Sequence, residues 1–132
     1  MDSVNVTTLQ QAYSDVARGD VEAVAELLDQ SVSWKVMGEP SSFAPFGEYT
    51  GQDGARDYLA KLGETLNITS IKPYQFVVEG DTVVVLGKTD GVMRATGKAV
   101  EVDWAHVFTF RDGKVIDYKE FVDTARILNA AH

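Results

Sequence analysis

Four runs of β-branched and aromatic residues in the second half of the chain, Ser70–Val78, Thr82–Thr89, Val100–Phe110 and Lys114–Val122, constrain the fold more than any other feature. Each has the length and composition of a strand, and turn segments separate them: Glu79-Gly80-Asp81, Ala95-Thr96-Gly97 and Arg111-Asp112-Gly113. This spacing predicts hairpins, and hence an antiparallel sheet. The first half follows a helical period. Leu9, Ala12, Tyr13 and Val16 share a helix face over Thr7–Ala17, Arg18-Gly19 stops it, and Asp20 caps a second helix carrying Val21, Val24, Ala25, Leu27 and Leu28. A short strand is expected over Val32–Met37, and a third helix over Gly54–Leu66. Between them Gly38–Gly51 is too rich in breakers for an element, yet it holds Phe43, Phe46 and Tyr49. A last helix, Thr124–Ala131, is capped by Asp123. Helices first and a meandering sheet afterwards predict an α+β fold with helices on one sheet face.

At 132 residues the chain has room for one domain, 1–132. Twelve Lys and Arg against twenty Asp and Glu give a net charge of −8, which repels phosphate backbones and anionic lipid heads. Nucleic acid and membrane are therefore not expected partners. The absence of cysteine removes disulfides, thiolate nucleophiles and thiolate metal sites, and two histidines are too few for a His-rich centre. No metal or organic cofactor is expected. No apolar run reaches spanning length and no signal pattern opens the chain, so a cytoplasmic location is expected.

Alternation along the third strand places Val102, Trp104, His106, Phe108 and Phe110 on one face, opposite Glu101, Asp103, Ala105, Val107 and Thr109. In the fourth, Ile116, Tyr118, Glu120 and Val122 share a face. With Arg111-Asp112-Gly113 as the turn, Phe110 pairs near Lys114, and His106 comes close to Tyr118 and Glu120. An acid and an imidazole then stand on an aromatic wall, where desolvation raises a carboxyl's pKa and makes it a usable base near neutrality. A donor beside it stabilises the oxyanion formed when a proton leaves carbon next to a carbonyl. If the two groups touch, Glu120 instead orients the imidazole and holds it cationic. The plain alternatives are a hydrogen-bonded core histidine and, if a bulge shifts the strand, a Glu120 that faces water.

Tyr13 with Gly19-Asp20, the apolar strand around Trp34, Tyr49-Thr50-Gly51 before a helix, and the run from His106 through Arg111-Asp112-Gly113-Lys114 to Glu120-Phe121-Val122-Asp123 resemble the NTF2-like superfamily, and within it the SnoaL-like group. The resemblance covers nearly the whole chain. It implies a cone, with N-terminal helices packed on a strongly curved antiparallel sheet, and a homodimer built through the outer sheet face. It also implies site residues. Glu120 is similar in position to the acid/base Asp of the cyclases, His106 to their histidine, and Tyr13 to the oxyanion tyrosine of the ketosteroid isomerases. The isomerases' base falls near Lys35, a cation, so steroid-type isomerisation is not implied. The Asp-Arg-Asp set of the epoxide hydrolases has no counterpart, because Asp103 is expected outward and Arg111 sits in a turn.

Together these readings predict cofactor-free acid/base chemistry of the cyclase, isomerase or dehydratase kind on a small, largely apolar or aromatic carbonyl compound. Glu120, His106 and Tyr13 are the catalytic candidates, and Trp34, Phe46, Tyr58, Trp104, Phe108 and Tyr118 the substrate-binding walls. Two other functions fit the same sequence: a binding or carrier domain that uses the pocket without turnover, and a dimeric interaction domain with a vestigial pocket.

Overall fold

The computed structural model describes residues 4–132 and contains helices α1 (Val4–Ala17), α2 (Val21–Glu26), α3 (Gly51–Thr65) and α4 (Thr124–Ala131) and strands β1 (Leu28–Val36), β2 (Gly47–Thr50), β3 (Leu66–Glu79), β4 (Thr82–Met93), β5 (Ala99–Arg111) and β6 (Lys114–Val122). The strands form one sheet in the order β2-β1-β6-β5-β4-β3. Sheet and helices give the α+β cone that the sequence predicts. Both expected caps are in place: Asp20 accepts from Ala23 N at 3.1 Å and Asp123 from Arg126 N at 3.3 Å, each satisfying a donor that the helix start leaves free.

Three expectations need correction. The sheet is mixed rather than antiparallel, because β1 runs parallel to β6; the first half of the chain supplies that strand, and α3 with the β3–β5 meander carries the chain back to it. The segment Gly38–Gly51 is not all loop, since Gly47–Thr50 pairs with β1 and Gly51 already starts α3. The breakers are spent at backbone specials: Gly38, Gly47 and Gly51 all have positive φ. Finally, Phe110 pairs with Val115 rather than Lys114, and Ile116 stands opposite no residue of β5.

That unpaired Ile116 is a β-bulge, and it re-phases the strand. Before it, Val115 faces the core at 1% exposure; after it, Tyr118, Glu120 and Val122 share that face. Ile116 does not belong to their face as expected. Past the bulge Asp117 pairs with Thr109, Tyr118 with Phe108, and Glu120 directly with His106.

The core lies between the inner sheet face and the helices. It gathers Val32, Trp34 and Val36 of β1, Val83 and Val85 of β4, Val102, Trp104, Phe108 and Phe110 of β5, and Leu9 of α1, Ala55 and Tyr58 of α3 and Ile127 of α4. Fully burying side chains of this size contributes roughly 1.5–3 kcal/mol each. The loop aromatics join it: Phe43 and Phe46 are buried and meet edge to face at 5.0 Å, and Tyr49 donates to Pro45 O at 2.8 Å. A Cβ at Gly38 would lie 2.3 Å from the Phe46 ring, so only glycine lets that ring fold in.

Candidate active site

The inner face does not close completely. A cavity of about 130 Å³ remains, near the roughly 150 Å³ that accommodates benzene in an engineered apolar cavity. All nine residues expected to form the site line it: Glu120, His106 and Tyr13, with Trp34, Phe46, Tyr58, Trp104, Phe108 and Tyr118. Asp103 and Arg111 are exposed, and Lys35 lies beside Glu48 with Nζ 3.9 Å from Oε1.

Strand pairing brings the polar groups together. His106 and Glu120 are cross-strand partners, and the His106 Nε2 lies 3.5 Å from Glu120 Oε1. The same oxygen accepts from Tyr118 Oη at 2.6 Å and from Tyr58 Oη at 3.0 Å. Among the described residues no hydrogen bond reaches Oε2. One carboxyl oxygen is thus held in place and the other is uncommitted. On the far side of the imidazole, Tyr13 Oη lies 2.7 Å from Nδ1.

Aromatic packing fixes the imidazole. Trp104 stacks on it at 3.8 Å with the planes 7° apart, and Tyr13 lies nearly parallel at 5.8 Å. The Trp104 indole needs the bare backbone opposite, for a Cβ on Gly87 would lie 2.2 Å from it. Its N–H donates to Thr89 Oγ1 at 2.8 Å. Thr89 and Ile127 belong to the cavity wall although sequence reasoning assigned them no site role. For Ile127 the signal was present in the apolar stripe of the last helix; for Thr89 there was none, because a strand threonine bonded to a tryptophan fifteen residues away leaves no local pattern.

The electrostatics follow from burial. Desolvation lowers the His106 pKa to about 3, so the imidazole is neutral and the cationic alternative is not supported. Desolvation raises the Glu120 carboxyl above the usual carboxylate range, while the Tyr118 and Tyr58 hydroxyls pull it back down. The Tyr13, Tyr58 and Tyr118 hydroxyls are all pushed well above a phenol's ordinary value, first by burial and then by the nearby Glu120. They remain protonated donors. When Glu120 is ionised, the favourable tautomer of a neutral His106 carries its proton on Nε2, facing the carboxylate, and leaves Nδ1 to accept from Tyr13.

Among the described residues no cluster of His, Cys, Asp or Glu is arranged to hold a metal ion, and no helix is long and apolar enough to cross a membrane.

No curated protein matches the chain. Among solved structures it is similar to an NTF2-like protein from Burkholderia xenovorans LB400, at 26% identity and a TM-score of 0.85, with 97% of this chain and 95% of that one covered. It is also similar to TerC co-crystallised with polyporic acid, at 24% identity and a TM-score of 0.88 with 98% of both chains covered. A third similar structure is a candidate SnoaL-like polyketide cyclase from Jannaschia sp. CCS1, at 22% identity and a TM-score of 0.84 over 99% and 96%. The model of the SnoaL-like domain family matches residues 9–118. With that match over most of its length and a cone shared with NTF2-like structures, the chain belongs to the SnoaL-like domain family.

Proposed function

We propose that this protein is a cofactor-free acid/base catalyst acting on a small, largely apolar carbonyl compound, in reactions that pass through an enolate. The observation that carries this reading is the Glu120 carboxyl, half-buried in an aromatic cavity with 13% of its side chain exposed, Oε1 held by two tyrosine hydroxyls and Oε2 uncommitted. In this reading Oε2 removes the proton from the carbon next to the carbonyl. The electron pair moves onto the carbonyl oxygen, where the Nε2–H of neutral His106 receives the charge, and Tyr13 fixes the tautomer through Nδ1. Returning the proton to a different carbon isomerises the substrate; attack of the enolate carbon on a second carbonyl closes a ring. Ring closure agrees with the naming of a similar structure as a polyketide cyclase candidate.

The test is exchange of α-protons for deuterium in a panel of small aryl ketones, followed by NMR in D₂O. Wild type is expected to exchange a member of the panel faster than buffer does, and Glu120→Gln to lose about 10²–10⁴-fold of that rate, the usual contribution of a positioned general base. Thermal stabilisation by the ketones without any exchange would favour the carrier reading. An unchanged rate in Glu120→Gln would remove the base assignment.

We propose as well that two copies pair through the outer sheet face. Val77, Val84 and Val107 lie in one cross-strand row, and Leu86, Ala105 and Phe121 in the next. Val77 and Phe121 are each 46% exposed. This is an apolar patch of the kind that marks an interface.

A further inference from the structure

Thr89 puts a hydroxyl where packing alone needs none. The buried inner row of β4 runs Val83, Val85, Gly87, Thr89, Gly91 and Met93, so a single polar residue interrupts an apolar wall. Among the described residues the other buried polar side chain is Asp15, which bonds to Gln11 and Arg18 close by in the chain. A hydroxyl taken out of water costs free energy unless it is paired. The partner of Thr89 comes from the next strand: Trp104 donates its Nε1–H to Oγ1 at 2.8 Å.

That bond fixes an orientation. The last torsion of an aromatic side chain is broad and roughly two-fold, and turning the indole over carries its N–H away from Oγ1. Gly87, the cross-strand partner of Trp104, makes room for the ring but does not distinguish its two sides. The hydroxyl does. The indole in turn lies 3.8 Å from the His106 ring with the planes 7° apart, and Tyr13 is nearly parallel to both, at 11° to Trp104 and 10° to His106. Three rings thus share one plane direction, and a hydrogen bond pins each end of the set: Thr89 on Trp104, and Tyr13 on His106 Nδ1. The plane of the imidazole decides where Nε2, 3.5 Å from Glu120 Oε1, points.

We infer that Thr89 is a positioning residue: its hydroxyl selects the orientation of the Trp104 indole, and the stacked indole sets the plane in which His106 presents Nε2 beside Glu120. This rests on the reading of His106 as the donor to the developing oxyanion and adds the group that aims it.

Thr89→Val keeps the shape and removes the hydroxyl, and Thr89→Ser keeps the hydroxyl. The first readout is NMR of the His106 ring C–H protons, which the ring current of a stacked indole moves upfield, and it needs no turnover. In Thr89→Val these protons are expected to return toward ordinary imidazole positions, while in Thr89→Ser they stay. The second readout is saturable α-proton exchange of the ketones. Thr89→Val should lose roughly 10- to 10²-fold in kcat with KM within about twofold, the cost of misplacing a group near the chemistry without touching binding, and Thr89→Ser should restore the rate. Unmoved His106 protons in Thr89→Val, equal movement in both variants, or a raised KM with unchanged kcat would each overturn the inference. Should Thr89→Val not fold, wild type and Thr89→Ser decide: His106 protons at ordinary positions in either would mean that the hydroxyl does not hold the stack. Glu120→Gln leaves Thr89, Trp104 and His106 in place, so exchange that ignores that substitution removes the base assignment, while the proton shifts judge the positioning separately.

Discussion

The imidazole of His106 is the residue on which the site's acid behaviour turns. Its pKa is about 3 in the fold against an ordinary imidazole value of 6.5, so the unfolded chain takes up a proton through a range in which the folded one does not. A lowered basic group of this kind contributes its full stability above pH 6.5 and loses it progressively as the pH falls toward 3, by up to about 1.4 kcal/mol per pH unit. Glu120 acts in the opposite sense: its raised value favours the fold at low pH, and that contribution is lost as the pH rises through its folded pKa. Urea unfolding at pH 7 and pH 5 should show wild type losing more stability than His106→Asn between the two. Equal losses would mean that the ring is not held neutral. That His106 and Glu120 would meet was readable from alternation and a short turn. That burial would decide the charge state of the pair was not, because desolvation depends on Trp104 and Tyr13 stacked over the ring, and neither contact is local in sequence.

At the scale of elements, the helices and the β3–β6 meander were legible because their apolar periods are long and their ends carry caps and Asp-Gly or Gly-Asp turns. The Arg111-to-Lys114 hairpin has both central residues at positive φ, Asp112 at 52° and Gly113 at 78°, as a type I′ turn requires. Strand β2 was illegible for the opposite reason: four residues at a sheet edge, bounded by glycines, leave no period to count. The parallel β1–β6 pairing was hidden too, since alternation reports a face and not a neighbour. Gly87 shows the same limit within β4. It reads as a weak point in a strand, yet it stands opposite Trp104 and makes room for the indole. Gly87→Ala is therefore expected to destabilise the protein by about 1–3 kcal/mol, the range for overpacking a filled core. Displacement of the indole from His106 would appear as a changed near-UV circular dichroism spectrum. A variant with unchanged stability and spectrum would show that the ring moves freely.

For the whole molecule, the inner sheet face serves the cavity and the outer face is left for another surface. If the rows Val77–Val84–Val107 and Leu86–Ala105–Phe121 join two copies, light scattering at micromolar concentration should give twice the 14.4 kDa chain mass, and Val107→Asp should halve it. A wild-type mass of one chain would leave the patch without this partner. The two faces are kept apart by Ile116. Side chains along a strand change sides at every step, so one supernumerary residue decides the parity of everything after it. Pair Ile116 with Thr109 instead, and an uninterrupted ladder would turn Tyr118 and Glu120 toward the solvent while Lys119 and Phe121 took their places inside. Whether this strand displays an acid to a guest or to water is written in an odd or even tally, upstream of the residues that do the chemistry.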